Sequence, residues 1–178
     1  MINTILKHYP GARFDNSGGN FTIENVYGED GLTTPRITAW DADAIGAPQP
    51  TQEEFAALLA EALNEGLKAY VRTKRWQVEN GGVLVNGIKI ATDDRAKTML
   101  LGARIAAMAM PETFTTPWSD LDGVGHQLDA AGVIAVSDGV LAHVQACFVL
   151  QDELITGVET GTISTIEAID AADWPPNI

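Results

Sequence analysis

The chain has 178 residues, 46% hydrophobic and 20% charged, which suits one ordinary domain or a small domain with an appendage and excludes wholesale disorder. Its formal charge at neutral pH is −13, unevenly spread: all 11 Lys and Arg lie between Lys7 and Arg104, and 11 Asp and Glu follow from Ile105 onward. The first 104 residues therefore sum to −2 and the rest to −11, a balance that argues against nucleic acid as partner, because phosphates need Lys and Arg.

An acidic surface of this kind serves solubility or meets a basic partner. The single cysteine, Cys147, rules out an internal disulfide and fits a reducing compartment. The opening residues, MINTILKHYPGARFD, lack the apolar core of a signal peptide, so synthesis in the cytoplasm is expected. No apolar run approaches the length of a membrane span, the Leu100 to Met110 segment being interrupted by Arg104, and no membrane partner is expected.

Residues 1–46 read as a β-rich N-terminal leader. Gly18-Gly19, Gly28, Gly31 and Pro35 punctuate short strand-like runs at Phe21–Ile23 and Arg36–Trp40, with no long helix. So short a region buries little surface alone and is expected to lean on a neighbour or a partner. Residues 47–73 read as a Pro-rich linker and a connecting helix. Ala47-Pro48-Gln49-Pro50 is extended, and Thr51 with Glu54 forms a capping box that opens a helix to about residue 73. Its apolar residues, Phe55, Leu58, Leu59, Ala62, Leu63, Leu67, Tyr70 and Val71, recur at helical spacing. The stripe is near-heptad for about three turns, so it offers homo-oligomerisation as well as the commoner packing within one domain.

Residues 74–174 read as a compact helix-and-hairpin domain with a tail at 175–178. Trp76 and Val78 alternate with Arg75, Gln77 and Glu79, the period of a half-buried strand, and Asn80-Gly81-Gly82 reverses the chain. Asn86-Gly87 joins Val83–Val85 to Ile88–Ile90 in a type I′ hairpin, with Val85 facing Ile88 and Val83 facing Ile90. Those four share an apolar face, with Leu84 and Lys89 opposite. Thr92 is placed to cap a second helix through about Met110, stopped by Pro111. This helix is apolar over more than half its circumference and is expected to be well buried, with Met99, Met108 and Met110 in the core rather than on an adaptable binding face.

A second hairpin joins Phe114–Trp118 to Val124–Leu128 around Asp120–Gly123. Asp129 caps a long helix through about Gly157, with a bend or break expected at Ser137-Asp138-Gly139. Ser164 with Glu167 makes a second capping box for a helix from Thr165 to about Ala172. The tail is loose unless Trp174 docks. The fold class is α+β: a small antiparallel hairpin or meander packed with several helices, after the β-rich leader.

Candidate chemistry is sparse. His143 and Cys147, one turn apart, lack the further ligands that a metal needs and the third element that a nucleophile pair needs; they read as core residues. Asp120 and Asp122 before Gly123 open like a calcium loop, but Val124, His126 and Leu128 supply no later ligands, so a turn is expected. Asp93-Asp94 reads as a helix start, and Gly81-Gly82 lacks the context of a phosphate loop. No catalytic, cofactor-binding or metal residues are assigned, and no enzyme is expected.

Lys74-Arg75-Trp76-Gln77-Val78-Glu79-x-Gly81-Gly82-Val83-x-Val85-Asn86-Gly87-x-x-Ile90-Ala91-Thr92 resembles the signature of a domain of unknown function found in tailed bacteriophages and prophages, in small proteins encoded beside tail-fibre genes. The resemblance continues through Leu128-Asp129-Ala130, His143–Phe148, Gly161–Thr165 and Ile169–Trp174, and covers roughly residues 70–174. The N-terminal half resembles the leaders of such proteins, with a strand ending in Trp40 ahead of Pro48-Gln49-Pro50-Thr51. The family has no assigned catalytic residues, so none carries over. The resemblance implies a virion tail or tail-fibre structural or adaptor protein whose partners are other phage tail proteins, or an assembly chaperone absent from the particle. A glycan-active enzyme using Asp120 or Asp122 is the remaining alternative.

Overall fold

The computed structural model describes residues 1–14, 18–27 and 33–178. It is α+β: helices alternate with three two-stranded antiparallel sheets. The order is α1 (Ile2–His8), β1 (Phe21–Tyr27), β2 (Thr33–Trp40), α2 (Ala42–Ile45), α3 (Gln52–Glu79), β3 (Val83–Val85), β4 (Ile88–Ile90), α4 (Asp94–Ala109), β5 (Thr115–Ser119), β6 (Gly125–Asp129), α5 (Ala130–Glu159) and α6 (Ile166–Asp170). The chain parts into two compact units, Met1–Gly66 and Leu67–Ile178, and α3 contributes to both.

In the first unit β1 pairs with β2 from Phe21↔Trp40 to Tyr27↔Thr33, with a bulge that leaves Thr38 unpaired. The turn expected at Gly28 and Gly31 lies outside the described residues. The core gathers Ile5, Ala12, Phe21, Ile45, Phe55 and Leu58, and Tyr9 meets the Trp40 ring edge-on at 5.0 Å. The leader thus carries a short helix, α1, that the strand-based reading does not foresee. Ile2, Ile5 and Leu6 recur at helical spacing and Ile5 is fully buried. The capping box at α3 forms as expected: Glu54 N donates to Thr51 Oγ1 at 3.2 Å and Thr51 N to Glu54 Oε2 at 2.7 Å.

In the second unit α3 does not stop near residue 73. It continues through Trp76–Val78 to Glu79, where a strand is expected from the alternation. On a strand Trp76 and Val78 would share a face; here Trp76 is largely exposed and Val78 is buried. The helical series Leu67, Val71, Val78 spans three turns and outweighs five residues of alternation. Gly82, at φ +89°, then turns the chain.

The β3–β4 hairpin has the expected register, Val83↔Ile90 and Val85↔Ile88, around Asn86 and Gly87, both at positive φ. It packs with Leu100 and Ala107 of α4 and Val133, Val136 and Val140 of α5. α5 shows no break at Ser137-Asp138-Gly139: β3 packs directly on Gly139, where a Cβ would lie 2.6 Å from Val85 Cγ2. A second cluster joins Leu67 and Val71 to Leu154, Val158 and Ile169. The tail docks, with Trp174 Nε1 donating to Ile169 O at 2.9 Å and Ile178 N to Gly81 O at 3.3 Å.

Two caps move by one residue. Asp93, not Thr92, caps α4, accepting from Ala96 N at 2.9 Å. Thr92 is fully buried and its hydroxyl accepts from Gly82 N at 2.9 Å, bracing the loop before β3. Thr165, not Ser164, caps α6 through Ala168 N. Asp129 caps α5 as expected.

Candidate protein-contact surface

The largest departure from expectation is α4. Only Leu100 and Ala107 are buried, while Leu101, Ile105 and Met108 are 58%, 62% and 64% exposed and Met99 and Met110 are more than half exposed. The helix is apolar over more than half its circumference, but the hairpin and α5 can cover one side. Leu101, Ile105 and Met108 recur at steps of four and three, so they form one stripe along the uncovered side.

α5 carries a matching feature. Its inner side gives Val133, Val136, Val140, Cys147, Leu154 and Val158 to the cores. Beside that face, Ile134, Leu141, Phe148 and Ile155 follow one another at intervals of seven; Leu141 and Phe148 are exposed and the two isoleucines half-buried. Four residues after each stand Asp138, Gln145, Asp152 and Glu159. Arg104 of α4 reaches this edge, with Nη1 2.6 Å from Asp138 Oδ1 and 3.3 Å from Ile134 O. Arg104 is one turn from Leu101 and Met108, and Asp138 one turn from Ile134 and Leu141, so the ion pair sits between the two stripes. The Arg75 guanidinium lies 4.5 Å over the Phe148 ring. By length and composition alone α5 is also apolar enough to cross a membrane, a property that the interrupted Leu100 to Met110 run does not register.

The residues weighed for chemistry are held in structural contacts. His143 is buried, with Nε2 3.2 Å from Val78 O and 3.9 Å from Cys147 Sγ. Burial pushes the Cys147 thiol above its ordinary pKa, which makes it a poor nucleophile. Asp120 Oδ1 accepts from Asp122 N at 2.9 Å and Val124 N at 2.8 Å, and Oδ2 lies 2.9 Å from His126 Nε2. The His126 contact, ahead of these backbone bonds, holds the Asp120 carboxyl below its usual range. Asp122 pairs with Lys89 at 2.8 Å. Gly81 lies against Asn177 of the tail, leaving no room there for a side chain. Among the described residues no group of three or more His, Cys, Asp and Glu is placed to hold a metal.

Sequence reasoning missed a buried charge cluster. Glu79, with a side chain 10% exposed, pairs with both Arg75 and Lys97. The Arg75–Glu79 step of four residues was its signal, hidden by the strand reading. In the first unit an open groove of about 490 Å³ runs between β2 and the start of α3, walled by Pro35, Ile37, Pro50, Phe55 and Leu59, with Arg36 as its ionisable residue.

Residues 62–173 match the family described as a domain of unknown function, DUF4376. The chain belongs to the DUF4376 family. Residues 1–66 match the family described as XkdW protein, which is phage-associated, and the chain is phage-related. The XkdW match covers the first compact unit, and the DUF4376 match covers most of the second. No curated protein matches the chain, and no solved structure does. The exposed stripes of α4 and α5 lie within the DUF4376 portion.

Proposed function

We propose that this chain is a phage tail or tail-fibre-associated structural or adaptor protein, located in the virion tail, that works through contacts with other tail proteins and catalyses no reaction. The observation that carries the reading is the apolar surface of α4 and α5. Leu101, Ile105, Met108 and Leu141 each stay more than half exposed in a helix whose opposite side is well packed. Isolated exposed apolar residues are ordinary, whereas stripes on adjoining helices mark a surface that another molecule covers. The engagement of both Asp120 oxygens within the β5–β6 turn supports a non-catalytic role for that carboxylate.

Mass spectrometry of purified particles tests the reading. Digestion should cut after Glu, because trypsin leaves Ile105 to Ile178 as a single peptide. Peptides from both units at stoichiometric yield are expected. Their absence from particles, with fibre assembly failing when the gene is deleted, would replace the structural role by that of an assembly chaperone. Loss of host-glycan cleavage by particles carrying Asp120→Asn and Asp122→Asn would revive the enzyme alternative.

A further inference from the structure

Building on the adaptor reading, we infer that the α4–α5 surface receives a partner helix of defined pattern: an apolar heptad stripe bordered by Lys or Arg on the side that meets α5. Two features of α5 select this occupant. Apolar residues at intervals of seven, Ile134 to Ile155, fit a helix packed alongside at a shallow angle, because only the heptad keeps one seam in contact over that length. The stretch spans about 30 Å at about 1.5 Å per residue.

The second feature is charge. The positions four residues on, Asp138, Gln145, Asp152 and Glu159, place three acids in register beside the stripe. Within the chain Arg104 answers Asp138 and Lys68 answers Glu159 at 3.5 Å, yet both carboxylate side chains remain 58% exposed. A border of this sign is complemented by cations on the partner. The acid row also disfavours a second copy of α5. This chain has no Lys or Arg after Arg104, so an antiparallel α5 pair would set acids against acids. It equally disfavours an anionic membrane surface.

The experiment uses the full chain and two synthetic helices of about 21 residues with Leu at heptad positions a and d, one with Lys and the other with Glu at e and g. Fluorescence anisotropy should show the Lys helix binding at least about tenfold more tightly than its Glu twin, and weakening as salt screens the charges. Ile105→Ser and Leu141→Ser, neutral changes at exposed positions, should each weaken the Lys helix by about tenfold while the melting temperature holds.

Several results would overturn the inference. One is equal binding of the two helices, or of neither. Another is binding unaffected by the serine variants, which would reveal mere attraction to an acidic protein. A third is sedimentation as a dimer that either serine variant dissolves, which would make a second copy the occupant. The last is transfer of the chain to phosphatidylcholine vesicles, abolished by the same variants, which would make it a lipid surface. A chain found in particles but blind to both helices sinks this inference and leaves the adaptor role standing.

Discussion

α3 and α4 both carry apolar residues at helical spacing, and the molecule uses them differently. α3 has one main apolar side, and most of it goes inward: Phe55 and Leu58 enter the core of the first unit, Leu67 and Val71 a core of the second, while Leu63 stays exposed. α4 is apolar over more than half its circumference. It gives Leu100 and Ala107 to the core and leaves Leu101, Ile105 and Met108 in solvent. An amphipathic pattern names the buried side because the other side is polar. A helix whose apolar residues spread over more than one side does not name its buried side, and the number of covering elements decides how much of it is buried.

This contrast can be broken by substitution. Ile90→Ala, emptying a fully buried position beneath α4, should cost about 3 kcal/mol of unfolding free energy. Ile105→Ala, a related apolar loss on the exposed side, should change it by less than about 0.5 kcal/mol. Urea unfolding of the two variants checks both, and similar losses would mean that α4 is covered on both sides. Glu79→Gln, removing the shared partner of Arg75 and Lys97, should cost about 2 to 3 kcal/mol, because two cations are left partly buried without it.

Gly87→Val should cost about 1 to 2 kcal/mol, since Gly87 sits at φ +81° and a β-branched residue resists that region. An unchanged melting temperature would count against the hairpin as a source of stability for α4's inner side. The smallest effect is one of pH. The folded state holds the Asp120 carboxyl below its unfolded value, chiefly through His126. That contribution is complete above the unfolded pKa of about 3.9 and is lost as pH falls through the lower folded value. The stability difference between the native chain and Asp120→Asn should therefore shrink on acidification below about pH 4.

Local signals in the sequence were the most readable. Asn86-Gly87 determines its turn through backbone φ alone, and Thr51 with Glu54 and Asp129 determine helix starts through bonds within one turn. Signals that depend on what lies across the fold were harder to read. Ser137-Asp138-Gly139 looks like punctuation, but Asp138 is held by Arg104 and Gly139 is the space that Val85 requires. Trp76 and Val78 look like one face of a strand until the longer helical series through Leu67 and Val71 is followed to its end. The exposed apolar surface was masked for the same reason: Met99, Met108 and Met110 have the composition of a core, and only the count of neighbouring elements puts them outside.

The packing around Cys147 has a practical consequence. The sulfur has no exposure to solvent, and its reluctance to ionise keeps it from attacking disulfides or taking up oxidants. The thiol of the folded chain is therefore silent toward oxidants, unlike the exposed thioethers of Met99, Met108 and Met110. While the chain stays folded Cys147 forms no cross-link to a neighbouring molecule, so the protein can be purified without added thiol.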